Sequence, residues 1–212
     1  MNAKILSLNV GLPEKMEWHG RSIVSSMKKT PVPGPLIVHR DHIEGDKFAN
    51  PEFHGTIDSV VYLFGMPSLL EYVKLLGHTE YVPGALGENV TLSELDESEV
   101  SVGDVFRIGE VVVQATYPRI PCGKVNIRME HEEGQKLMQR SGRSGVYCRV
   151  MTPGKIHVTD SLERIEKAAV HLPIAEIYKI VVSNQKPSEE QRQRAFANGA
   201  LSATVLKKWR AL

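Results

Sequence analysis

The chain has 212 residues, 42% of them hydrophobic and 24% charged, with a formal net charge of +1. That length fits one large domain or a domain with an appendage, and the balanced charge argues against a broad surface for nucleic acid or acidic lipid. No apolar run approaches the roughly 18 residues of a membrane span.

Lys4–Val10 alternates in polarity and predicts a first strand. Gly11–Gly20, with Pro13, Trp18 and His19, reads as a loop. Pro31, Pro33 and Pro35 recur at every second position and exclude helix from Lys28–Pro35, after which Leu36–His39 predicts a short strand. Arg40–Gly55 is polar and rich in turn formers, and a loop of that length is often functional. His39 and His42 form a His-x-x-His pair, but no Cys-x-x-Cys or second histidine pair completes a tetrahedral zinc set, so this stretch reads as a solvated loop. His54, beside Gly55, is the histidine there best placed to contact a ligand.

Ile57–Phe64 is apolar and β-branched and predicts a buried strand, with helix as the alternative, and Pro67–Leu76 has the spacing of an amphipathic helix stopped by Gly77. Pro83–Leu92 is a glycine-rich loop entering a strand, and it matches neither a phosphate loop nor a dinucleotide fingerprint. Within it, Glu88 and Asn89 can serve the turn through side-chain hydrogen bonds. Ser101–Asp104 predicts a turn, and Val105–Ile108 with Val111–Thr116 a hairpin about Gly109-Glu110. Glu132–Arg140 reads as a surface helix. Gly145–Met151 and Lys155–Val158 flank a Pro-Gly turn, Cys148 reads as a packed strand residue, and Val158–Ile165 completes the β region. After about Ala168 the pattern becomes helical. Pro173–Val182 predicts one helix, Ser188-Glu189-Glu190-Gln191 is a capping-box start for a second, and Ser202 can cap a third carrying Leu206 and Trp209 on one face. The reading is thus a mainly β domain over 1–168 and a three-helix unit over 169–212.

One stretch stands out chemically: Tyr117-Pro118-Arg119-Ile120-Pro121-Cys122-Gly123-Lys124. Two prolines stiffen it, Gly123 leaves room beside the sulfur, and Arg119 and Lys124 are cations of the kind that favour thiolate over thiol. Free cysteine is also among the most frequently buried residues, so the residues alone leave a reactive and an inert Cys122 both open. With two cysteines and no apolar leader in Met1–Ser7, a reduced, cytoplasmic protein is expected.

In order and spacing the motifs resemble the MOSC domain family, named for the C-terminal domain of molybdenum-cofactor sulfurases, and within it the YiiM-like branch. The matching pieces are Lys29 before Pro31-Val32, Gly45-Asp46, His54-Gly55 with Asp58, Gly87-Glu88-Asn89, Val102-Gly103-Asp104, Pro118–Cys122 and Gly145–Val150. The resemblance covers nearly the whole chain, since that branch also carries a C-terminal three-helix extension. Thr56 and Thr159 depart from the family pattern, which has glycine after His-Gly and Gly-Asp at the end of the last hairpin.

The resemblance implies an α+β, mainly β, barrel-like domain whose motif cysteine binds molybdenum cofactor or carries sulfur for it. On that footing Cys122 supplies a soft thiolate to molybdenum and Arg119 contacts the anionic cofactor. Lys29, His54, Glu88 and Asn89 line the pocket by motif position. The implied activity is reduction of N-hydroxylated compounds such as N-hydroxylaminopurines. Because the chain has no iron–sulfur, flavin or nicotinamide signature, an electron-donating reductase partner is required. The alternative is a sulfur carrier with a persulfide on Cys122. The helical extension also offers a surface for pairing with a second copy.

Overall fold

The structure, a computed structural model, describes residues 1–50, 56–77 and 80–211. In chain order its strands are β1 (Asn2–Val10), β2 (Glu14–Trp18), β3 (Arg21–Ser25), β4 (Thr30–Pro31), β5 (Leu36–Val38), β6 (Val61–Gly65), β7 (Val90–Leu92), β8 (Val105–Ile108), β9 (Val111–Pro118), β10 (Val146–Thr152), β11 (Gly154–Ile156) and β12 (Ser161–Glu166). Its α-helices are α1 (Met66–Leu75), α2 (Lys124–Arg128), α3 (Gly134–Ser141), α4 (Ile174–Ser183), α5 (Glu189–Ala197) and α6 (Ala203–Ala211).

Seven strands follow the order β12-β8-β9-β10-β6-β7-β1, and pairing of β1 with β12 closes them into a barrel. The pairings are antiparallel except β6 with β7, which run parallel. Parallel neighbours need a crossover, and α1 lies in it. The architecture is the mainly β barrel with helices that the family resemblance implied. No helix among the described residues is long and apolar enough to cross a membrane.

Strand alternation sorts side chains between two apolar cores. Val61 and Leu63 of β6 belong to the larger core, together with Val146, Cys148 and Val150 of β10. Tyr62 and Phe64 point the other way, into a smaller core with Leu69 and Tyr72 of α1, Val125 of α2 and Met138 of α3. All five β6 residues are therefore buried, which explains their continuous apolar run. The larger core continues into the C-terminal helices through Ile174, Ile177, Val205 and Trp209. The expected capping box is present: Gln191 N donates to Ser188 Oγ at 3.2 Å and Ser188 N to Gln191 Oε1 at 2.8 Å.

Three sequence expectations need correction, and one helix carried no signal. Gly11–Gly20 is not all loop, because Glu14–Trp18 pairs with Arg21–Ser25 in a hairpin whose turn is at His19-Gly20. Strand structure begins only at Val61, since Ile57–Ser59 forms a 3₁₀ turn. The last strand begins at Ser161 rather than Val158. Lys124–Arg128 is helical although its length gave no periodic signal, and it packs against β2 and β3.

Candidate functional site

Beyond Pro118, at the end of β9, the chain enters the Arg119–Gly123 connection and then α2. Cys122 O accepts from Val125 N at 2.9 Å, and Pro121 O accepts from Gln135 Nε2 of α3 at 3.2 Å. The turn is thus held by two helices as well as by its prolines. Cys122 is half-buried and borders a cavity of about 170 Å³. The cavity's other walls come from Ser25–Met27 and Lys29, from Phe48–Asn50, from Leu86, Gly87 and Asn89, and from the outward-facing Tyr62 and Tyr147. Cys148, in contrast, is buried inside the barrel, where desolvation pushes its thiol well above the ordinary range.

Arg119 borders the same cavity and is only 6% exposed. Among the described residues no carboxylate pairs with it. Its guanidinium nitrogens reach the thioethers of Met138 at 3.3 Å and Met27 at 3.5 Å, both weak acceptors. Its carbon stands 5.9 Å from the centroid of the Tyr62 ring, a cation–π arrangement. Electrostatically it is coupled to Tyr62, Tyr147 and Cys122. Tyr62 is fixed by donating its hydroxyl to Ser144 O at 2.8 Å, and its ring lies 4.8 Å from that of Tyr147, tilted by 35°. The result is a buried cation held by two thioethers, the Tyr62 ring and a hydrogen bond to the Tyr147 side chain beside a thiol, with no described carboxylate to balance its charge.

Lys29 also borders the cavity and is buried, but it has a partner. Its ammonium forms an ion pair with Asp46, whose Oδ1 accepts from Gly11 N at 2.8 Å and whose Oδ2 accepts from Asn89 Nδ2 at 3.0 Å. Asn89 further donates to Asn9 O at 3.3 Å and accepts from Tyr62 N at 3.1 Å, which ties β1, β6 and the glycine-rich loop together. Burial lowers the lysine pKa, and Asp46 opposes that shift.

Of the residues singled out from sequence, Cys122, Arg119, Lys29 and Asn89 converge on this one cavity. Glu88 does not border it, which corrects the expectation for that residue. Its carboxylate turns back into its own loop and accepts from Tyr81 Oη, Gly84 N at 2.6 Å, Leu86 N at 3.2 Å and Thr91 Oγ1 at 3.2 Å. Burial raises its pKa to about 7 against those hydrogen bonds. His54 lies outside the described residues. Sequence reasoning passed over Met27 and Tyr62, and named Asp46 and Tyr147 only within motif pieces, without a place at the site. A tyrosine among aliphatic residues in two neighbouring strands was the available signal for the ring pair, because alternation puts both on the outer face.

No group of three metal-ligating side chains gathers among the described residues. One thiol, two buried cations and aromatic rings instead suit a group that brings most of its own ligands and carries negative charge. A dithiolene-bound molybdenum cofactor is such a group. Cys122 would offer it a soft sulfur ligand, and Arg119 and Lys29 would face its anionic parts.

Comparison with known proteins agrees with this geometry. Residues 50–163 match the MOSC domain family model. The uncharacterized protein YflK of Bacillus subtilis is 30% identical over 207 residues, covering 98% of this chain and 91% of YflK. A protein of Gibberella moniliformis named a reductase is 25% identical over 166 residues, which are 76% of this chain but 29% of that protein. The crystal structure of YiiM from Geobacillus stearothermophilus superposes with a TM-score of 0.81 at 27% identity, covering 99% of this chain and 98% of that one. A barrel of this topology, a cysteine carried on the Pro118–Cys122 turn and these matches place the chain in the MOSC domain family, in its YiiM-like branch.

Proposed function

We propose that the chain binds molybdenum cofactor through Cys122 and reduces N-hydroxylated compounds, such as N-hydroxylaminopurines, to amines. The observation that carries this reading is the meeting of Cys122 with a buried guanidinium that no described carboxylate neutralises, on the wall of one cavity. A buried cation of this kind is unfavourable unless an anionic ligand completes it. When bound, the cofactor supplies the two-electron redox chemistry. The chain's share is to hold it by Cys122, Arg119 and Lys29, to stack a planar substrate on Tyr62 and Tyr147, and to exclude water with Met27, Phe48 and Leu86. The chain has no redox centre of its own in sequence, so an electron-donating reductase is its proposed partner. The fungal relative supports that pairing, since it bears the name reductase and the matched part is only 29% of its length. Cytoplasmic operation fits two free cysteines.

Protein made in cofactor-competent cells tests the reading through its metal content. Wild type is expected to hold molybdenum and to turn over an N-hydroxylated purine. Cys122→Ala is expected to lose both while remaining folded, because Cys122 is half-buried outside the main cores. A persulfide on Cys122 in protein devoid of molybdenum would overturn the reductase reading in favour of sulfur carriage.

A further inference from the structure

Reduction of an N–OH group consumes protons as well as electrons, and the cavity wall holds a group suited to deliver one. Lys29 is gripped by its surroundings. Its backbone N donates to Gly84 O at 3.2 Å, and a Cβ on Gly84 would come within 2.4 Å of Lys29 O. A Cβ on Gly11 would come within 3.1 Å of Lys29 Cγ. Two glycines therefore leave the space in which this lysine lies. The Asp46 carboxylate beside it is fixed by Gly11 N and Asn89 Nδ2. The charged groups acting on the ammonium are Asp46, in direct contact, and Glu88, more weakly. Arg119 and Lys124 stand on the same cavity. A surface lysine would need none of this support, and a purely structural ion pair would have no reason to border the cavity.

We infer that the Lys29 ammonium, positioned by Asp46, donates a proton to the oxygen of a bound N–OH group as that oxygen departs as water. The inference rests on the reductase reading above. The net change is R–NH–OH plus two electrons and two protons giving R–NH₂ and water. The N–O bond breaks, and the oxygen, already carrying one hydrogen, takes the Lys29 proton. The nitrogen takes the second proton from solvent, and both electrons come from the reduced metal centre. Lys29 is left neutral beside Asp46 and is recharged from solvent. Its burial eases proton release, because desolvation disfavours the charged form. Asp46 touches no substrate and acts only through Lys29.

The test uses cofactor-loaded protein, reduced methyl viologen as donor and an N-hydroxylated purine base, and reads molybdenum content alongside kcat and KM. Lys29→Arg keeps the charge but cannot release a proton near neutral pH. It is expected to keep wild-type molybdenum content and to lose about 100-fold or more in kcat. Asp46→Asn is expected to keep metal and KM and to lose roughly 10-fold in kcat, as a misplaced proton donor does. Lys29→Arg with metal content and kcat both near wild type would overturn the inference while leaving the reductase reading intact. Loss of metal in step with activity would also overturn it, by making Lys29 a cofactor anchor only. Should Lys29→Arg not fold, Asp46→Asn decides: a kcat loss at constant KM supports the inference and an unchanged kcat overturns it. Wild type without molybdenum or turnover would remove the reductase reading itself, and the inference with it.

Discussion

At the scale of single residues, the two buried cations of the cavity differ in what they cost the fold. Lys29 is paired with Asp46, whereas Arg119 rests on thioethers and rings. An uncompensated buried charge carries its desolvation cost without a Coulombic return, so an apolar side chain of similar length in its place is expected to be neutral or stabilising. Arg119→Met is therefore expected to raise or preserve the denaturant midpoint while abolishing molybdenum retention. A large loss of stability would show that the guanidinium is structural. Glu88 makes a pH-dependent prediction. Its carboxyl is raised to about 7 in the fold, chiefly by burial. The stability it contributes is present in full below the unfolded value near 4.5 and is lost as pH rises through about 7. The change amounts to about 3 kcal/mol for a shift of that size. Urea titrations at about pH 5 and about pH 8 should show this fall in wild type, and Glu88→Gln should flatten it.

At the scale of elements, the cavity is an assembly of short pieces on a stiff sheet. β6 and β10 present Tyr62 and Tyr147 because their other faces are committed to the barrel core. The loop before β7 meets Lys29 at Gly84, whose φ is +84°, so Gly84→Ala meets both an unfavourable backbone region and the Lys29 carbonyl. A loss of about 2–4 kcal/mol is expected from such a site, together with weaker cofactor retention because Lys29 must move; thermal unfolding and metal analysis would check both. Much of this level was legible in the sequence. The β8–β9 hairpin, α1, the capping box and the reactive turn each carry a local signal, by alternation, helical spacing, Ser188 with Gln191, or paired prolines. The β2–β3 hairpin was not legible, because its turn residues His19-Gly20 sit among polar side chains with little alternation. Nor could the Lys29–Asp46 pair be read, since the partners stand seventeen positions apart, on either side of β4 and β5, and only the fold brings them together. The Glu88 error has the same root: a Gly-Glu-Asn run shows which residues are near a pocket, but not that Glu88 turns inward and Asn89 outward.

At the scale of the whole molecule, the C-terminal helices are continuous with the barrel's apolar interior. Trp209 is 1% exposed and shares a core with Val205, Ile177 and the barrel strands. Trp209→Ala is expected to cost about 3–5 kcal/mol, and unfolding should stay a single transition by fluorescence and circular dichroism. Two separated transitions would mean that the helical unit unfolds independently. Barrel closure has a further consequence, for the order in which the protein is made. Asn2 pairs with Glu163 and Lys4 with Ser161, so β1 waits for β12, the last barrel strand in chain order. Such long-range closure is slow, because the loop entropy is lost before the contacts form. Until then the edges of β1 and β8 that β12 covers are unpaired and prone to bind other chains. The cavity draws on segments from Ser25 to Tyr147 and so cannot form before β10 has been made. Whatever occupies it can be captured only after those segments have come together, so the early steps of folding proceed without help from a ligand.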